Sequence, residues 1–322
     1  MLAIEIYRWP ISDCNGVARR AAQLRGQGLI EYALIIAVIG LVIVFAGPGV
    51  AGAIRNQFNL VGNTVNNGTT GGIEGGATGG GSTGADSVTV QAAIAKDAND
   101  WTLDEQKAVA EDIAAKGEAS PAYAKAKAAM DAGTKFSVKL TNGETLEYLI
   151  IGINHDDLAD GSGKAGLTFE VTNKALGPQR MSVTKTNAGG WEKSELRGRL
   201  NSGDLWALLP SELQSKAKAV TKMTDNKGGD GADNVSATTD KVFLLSSTEV
   251  WGDLQSDGAQ YEFYASKGVT KSNCAGAAVG GFHWTRSVDP NSSTYFRYVY
   301  FGGVCDINLV TGRSYVQPAF CF

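Results

Sequence analysis

Apolar and polar positions divide the chain into three regimes. Residues 29–46 are an apolar run of 18 with a single charge, Glu31. From 71 to 84, eight of 14 residues are Gly and no apolar period survives. Beyond residue 86 apolar positions recur, first at helical spacing and then at strand spacing. The first run is long enough for a membrane span; with Gln27 and Gly28 it rises about 30 Å as a helix. Gly47-Pro48-Gly49 interrupts it, and residues 50–65 resume an amphipathic pattern through Ile54, Phe58 and Val61. The glycine tether at 67–85 has an r.m.s. span of about 25 Å.

Thr102, Glu105 and Gly117 predict a capped helix over 102–117, and Pro121 opens a second over 121–130. Strands are expected at 136–140 and 146–153, joined by Asn142-Gly143, a hairpin signal. Further strands are expected at 167–172, 241–247, 282–287, 295–301, 304–309 and 316–320. Helical pieces are expected at 192–200, 211–219, 247–251 and 261–267. The class is α+β.

Charge fixes an orientation. Arg8, Arg19, Arg20 and Arg25 precede the apolar run and Arg55 alone follows closely, so the positive-inside rule puts the N-terminus in the cytoplasm and everything after residue 50 outside. The net charge of −4 and the absence of a basic block in the C-terminal part argue against a nucleic-acid partner. Two histidines, His155 and His283, give little material for a histidine metal site or triad. Of four cysteines, Cys14 is N-terminal; two of Cys274, Cys305 and Cys321 are able to pair after export, with the pairing open. Gly80-Gly81-Ser82-Thr83-Gly84 has the spacing of a nucleophile elbow but lacks its strand and helix. Residues 155–163 are acidic, yet Leu158 and Leu167 stand where an EF-hand needs ligands. No catalytic residue and no cofactor are expected, and calcium at this loop stays open.

A carboxylate in an apolar run is costly unless it has a partner. Gly26-Gln27-Gly28-Leu29-Ile30-Glu31-Tyr32 resembles the processing site of Flp-type (tight-adherence, type IVb) prepilins. That resemblance, over about residues 20–66, implies cleavage by a prepilin peptidase between Gly26 and Gln27. It makes Glu31 and Tyr32 assembly residues, with Glu31 neutralising the new amine on a neighbouring pilin subunit. Shaft subunits of that family are little more than the helix. A chain this large fits a minor, tip or decorating subunit, held in the membrane before assembly and on the cell-surface pilus afterwards.

Five strings beyond residue 135 resemble an uncharacterised domain family of bacterial surface and phage-related proteins: 151–157, Gly190-Trp191 with Ser194 and Arg197, 241–246, Trp284-Thr285-Arg286-Ser287, and 316–321. That family and the variable proteins of diversity-generating retroelements look like C-type-lectin-type folds, whose loop-rich side takes ligands. Glu-Pro-Asn and Gln-Pro-Asp, the calcium-dependent sugar motifs of animal lectins, are absent. Tyr, Ser, Asn and Arg are dense after residue 284, a composition typical of binding surfaces. The expected ligand residues are Tyr295, Arg297, Tyr298, Tyr300, Asp306, Asn308, Arg313 and Tyr315, toward an extracellular protein or glycan.

The expected organisation is a leader over 1–26, a long transmembrane or pilin helix over 27–66, a linker over 67–85, a helical segment over 86–134, and a C-type-lectin-like ligand-binding domain over 135–322. The alternative is a membrane-anchored extracytoplasmic enzyme on the same fold.

Overall fold

The computed structural model describes residues 87–229, 235–252 and 257–322. The chain divides into units 1–79 and 80–322, and every described residue belongs to the second. The leader, the apolar segment 27–66, the linker, and with them Gly26, Gln27, Glu31 and Tyr32, lie outside the described residues.

Three helices open the unit: α1 (Val88–Ile94), α2 (Leu103–Lys116) and α3 (Tyr123–Ala132). The capping box forms as the sequence predicts, with Thr102 Oγ1 accepting from the Glu105 amide and Glu105 accepting from the Thr102 amide. Helix α2 is the longest described, at 14 residues. It rises about 21 Å, short of a bilayer core, and carries charges on every turn. Among the described residues no helix is long and apolar enough to cross a membrane. The expected fold class, headed by a long transmembrane helix, is therefore corrected to a mixed α+β fold.

Sheet 1 runs β1-β2-β3-β12-β7, from β1 (Lys135–Lys139), β2 (Thr145–Ile153), β3 (Leu167–Val171), β7 (Val242–Phe243) and β12 (Ala319–Cys321). The chain's last strand thus enters the interior of the sheet, antiparallel to both neighbours. Asn142-Gly143 makes the β1–β2 turn: Asn142 Oδ1 accepts from the Glu144 amide and Gly143 takes φ 88°. Sheet 2 runs β10-β9-β8-β11-β4, from β4 (Pro178–Gln179), β8 (His283–Val288), β9 (Tyr295–Val299), β10 (Cys305–Leu309) and β11 (Ser314–Tyr315). A separate hairpin pairs β5 (Val220–Asp225) with β6 (Val235–Asp240). Short helices α4 (Glu195–Asn201), α5 (Asp204–Leu208), α6 (Ser211–Lys216), α7 (Ser247–Trp251) and α8 (Glu262–Ser266) fill the connections.

Strand β3 explains the layering. All five residues of Leu-Thr-Phe-Glu-Val are buried, so both faces are covered. One face joins Phe169 and its register partners Ile150 and Phe320 to Phe136, Tyr148 and Phe322, with ring centroids 5.2–5.8 Å apart. Helix α2 closes onto this face through Gln106, which bonds the Tyr148 hydroxyl and the Trp101 carbonyl. Burying rings of this size stabilises by about 1.5–3 kcal/mol each. The other face presents Thr168 and Glu170, polar yet fully buried, and there the charged groups of the molecule gather.

Candidate binding face

Two places collect chemistry, one inside and one on the surface. The inner one is an ion cluster. Lys222 of β5 lies 2.5 Å from Asp156 and 2.5 Å from Glu249 of α7. Arg286 of β8 grips both oxygens of Glu249 and also bonds the Thr224 hydroxyl and the carbonyls of Met223, Leu244 and Asp257. Asp156 takes the Thr168 hydroxyl at 2.6 Å and the Tyr261 hydroxyl at 2.8 Å. Burial opposes ionisation of Asp156, but Lys222 and His155 outweigh it and hold its carboxyl well below the usual range. Burial likewise opposes a charged Glu249, and Arg286 and Lys222 reverse the balance. Two anions and two cations therefore neutralise one another out of contact with water, and each loses several kcal/mol of stabilisation without its partners. The strings 151–157, 241–246 and 284–287 supply Asp156, Ser246 and Arg286 to this region. Ser246 caps α7 and so sets the position of Glu249. With the carboxylates of Asp156 and Glu249 both paired, these residues hold the fold together.

On the surface, rings run in contact around the end of sheet 2. Trp284 meets Tyr298 at 6.1 Å, Tyr298 meets Tyr300 at 5.6 Å, and Tyr300 meets Phe301 at 4.8 Å. Phe301 then meets Phe282 at 5.3 Å, and Phe282 meets Tyr315 at 5.0 Å. Lys174 Nζ stands 4.5 Å over the Tyr315 ring. Phe301 is 64% exposed, and Tyr300, Val304 and Ile307 are also exposed. Such a cluster of exposed apolar side chains on one hairpin is uncommon on a free surface.

Of the expected ligand residues, Tyr300 and Tyr315 stand in this strip, while Tyr298 is buried beneath it against Trp284. Asp306 is exposed in register with Tyr298, and Asn308 is half-buried opposite Phe296. Arg297 is half-buried, with a guanidinium N–H donating to Cys305 Sγ at 3.6 Å and its Nε without a partner. Exposed Arg313 bonds the carbonyl of Pro178, the register partner of Tyr315. Tyr295 sits at the far end of β9, about 17 Å from Tyr300 along the strand. Lys174 and Phe282 are the members that sequence reasoning missed. Lys174 comes from a segment remote in sequence and Phe282 from just before β8, and the pairing of β11 with β4 and β8 brings both to Tyr315.

Residues 168–322 match the sequence model of a family described as "Domain of unknown function (DUF6273)". The match covers a little under half of the chain and takes in both the ion cluster's Lys222, Glu249 and Arg286 and the ring strip. No curated protein and no solved structure matches the chain.

The acidic loop is occupied by its own turn. Asp160 accepts from the Ser162 amide and hydroxyl, and Asp157 pairs with Lys164. A cavity of about 250 Å³ beside it is lined by Leu158, Lys218 and Phe322, among others. Its Lys218 already faces Glu111 at 3.5 Å.

Proposed function

We propose that the chain is a processed surface subunit of Flp-type pilin character, carrying a receptor domain that binds an extracellular ligand through the ring strip of sheet 2. The observation that most supports a binding role is the strip itself: exposed rings and aliphatics beside Lys174, Arg297 and Arg313. None of the three cations has an ion pair among the described residues. Rigid rings with free cations suit a partner, glycan or protein, that offers acidic groups next to apolar surface. Processing between Gly26 and Gln27, with assembly through Glu31 and Tyr32, rests on the sequence resemblance and would put this domain outside the cell, tethered by the glycine linker.

Residues 80–322, screened on arrays of acidic and neutral glycans and on extracellular proteins, test the binding role. The reading predicts a ligand whose affinity falls at least tenfold in Phe301→Ser and in Lys174→Gln, both exposed positions whose melting temperature stays near wild type. Wild-type binding by both variants would remove the strip as the site.

A further inference from the structure

We propose that the interface between the two sheets contains a built water site, formed by Glu170 of β3, His283 of β8 and Gln317 just before β12. Four fully buried atoms there lack a protein partner: Glu170 Oε1, His283 Nε2, and both Gln317 Oε1 and Nε2. Glu170 and His283 face each other across 4.0 Å, too far for a direct hydrogen bond. A water about 2.8 Å from each atom spans that gap. Ala319 is the register partner of Glu170. Gln317, two residues earlier, therefore falls on the same face of sheet 1. Gly280 closes the site: a Cβ there would lie 2.2 Å from Gln317 Nε2 and 2.0 Å from the Thr172 carbonyl.

The remaining contacts fix the protons. His283 Nδ1 lies 2.8 Å from the Gly281 carbonyl, so it carries the hydrogen and leaves Nε2 as an acceptor. Tyr264 donates to Glu170 Oε2 at 2.6 Å, so Oε1 is the carboxyl oxygen left to carry a proton. Water accepts from Glu170 and donates to His283, with Gln317 completing its shell. No cation among the described residues stands on Glu170: Tyr264 reaches it from α8, the nearby Glu249 of α7 is anionic, and buried His283 stays neutral. Burial accordingly raises Glu170 to about 8 and lowers His283 to about 4. The site also anchors the strap 280–282, whose Phe282 enters the ring strip, so it couples the strip to the inter-sheet core.

Two measurements on the full chain test the site. Water-oxygen magnetic relaxation dispersion should show a long-lived internal water in the wild type that Glu170→Met lacks; equal dispersion overturns the proposal. Should Glu170→Met fail to fold, Gln317→Leu carries the same dispersion test, while Glu170→Gln, which keeps a neutral hydrogen-bonding group, is the reference for the pH comparison. Between pH 6.5 and 8 the folded wild type holds a proton on Glu170 that the unfolded chain has lost. The wild-type folding equilibrium therefore falls as pH rises, by up to about tenfold per unit more than in Glu170→Gln. His155, raised despite burial by its bond to Glu262, contributes a fall of the same sign in both proteins and cancels in the comparison. Identical pH profiles overturn the proposal, as does stabilisation of the wild type alone by sodium or calcium, which would mean a cation in place of water.

Discussion

At the level of single residues, the ion cluster sets the strongest expectation. Replacing Lys222 by Met leaves Asp156 and Glu249 short of a partner in an apolar surround. Losing one member of a buried pair costs about 3–5 kcal/mol, and urea unfolding measures it directly. Lys218→Ala, at an exposed pair, should cost less than about 1 kcal/mol. A second expectation concerns acid. Asp156 and Glu249 have folded values below the ordinary carboxylate range, so the stability they contribute is present above that range and is lost as pH falls through it. Neutral buried His283 adds a loss of the same sign as pH falls from 6.5 toward 4. Between pH 7 and about 4.5 protonated Glu170 opposes the His283 loss, so thermal melts should change little there and fall steeply below the ordinary carboxylate range. Little of this cluster was legible beforehand. Asp156, Lys222, Glu249 and Arg286 are far apart in sequence, and nothing in a single charged residue announces burial. The trace was Thr168 and Glu170 alternating with Leu167, Phe169 and Val171, which reads as a half-exposed strand when only one sheet face is expected to be covered.

Local signals were more legible at the scale of elements. The capping box at Thr102 and Glu105, the Asn142-Gly143 turn and the strands around 146–153 and 167–171 follow from short-range chemistry, and the structure has them. Ser246 adds a second capping box at α7. Ser246→Ala should cost about 1 kcal/mol as a lost cap, and more where the shift of α7 loosens Glu249 from Arg286. Thr102→Ala, at the rim, should cost only the cap, so the difference between the two melting temperatures checks the coupling. The β5–β6 hairpin was not foreseen. Val220–Asp225 and Val235–Asp240 hold few apolar residues, and the Gly/Asp-rich stretch between them reads as a loop on its own. Burial of Lys222 and Thr224 against Arg286 and Asp156 stabilises β5 where side-chain propensity does not.

For the molecule as a whole, the sequence conveyed the α+β class beyond residue 135, while the order of strands came only with the structure. Insertion of Ala319–Cys321 between β3 and β7 is a long-range pairing that no local pattern encodes. The same topology gathers Lys174, Phe282, Phe301 and Tyr315 into one strip, so half of the candidate face was visible as a Tyr-rich stretch and half was not. Because β12 completes sheet 1, truncation before residue 319 should abolish cooperative unfolding of the 80–322 unit, followed by far-UV circular dichroism. The proposed display outside the cell rests on the N-terminal sequence resemblance, in which cleavage would free the amine of Gln27 as a partner for Glu31. Mass spectrometry of the protein sheared from the cell surface tests that claim most directly. A mature chain beginning at Gln27 is the predicted result; a surface protein that still carries Arg8 to Arg25 would contradict it.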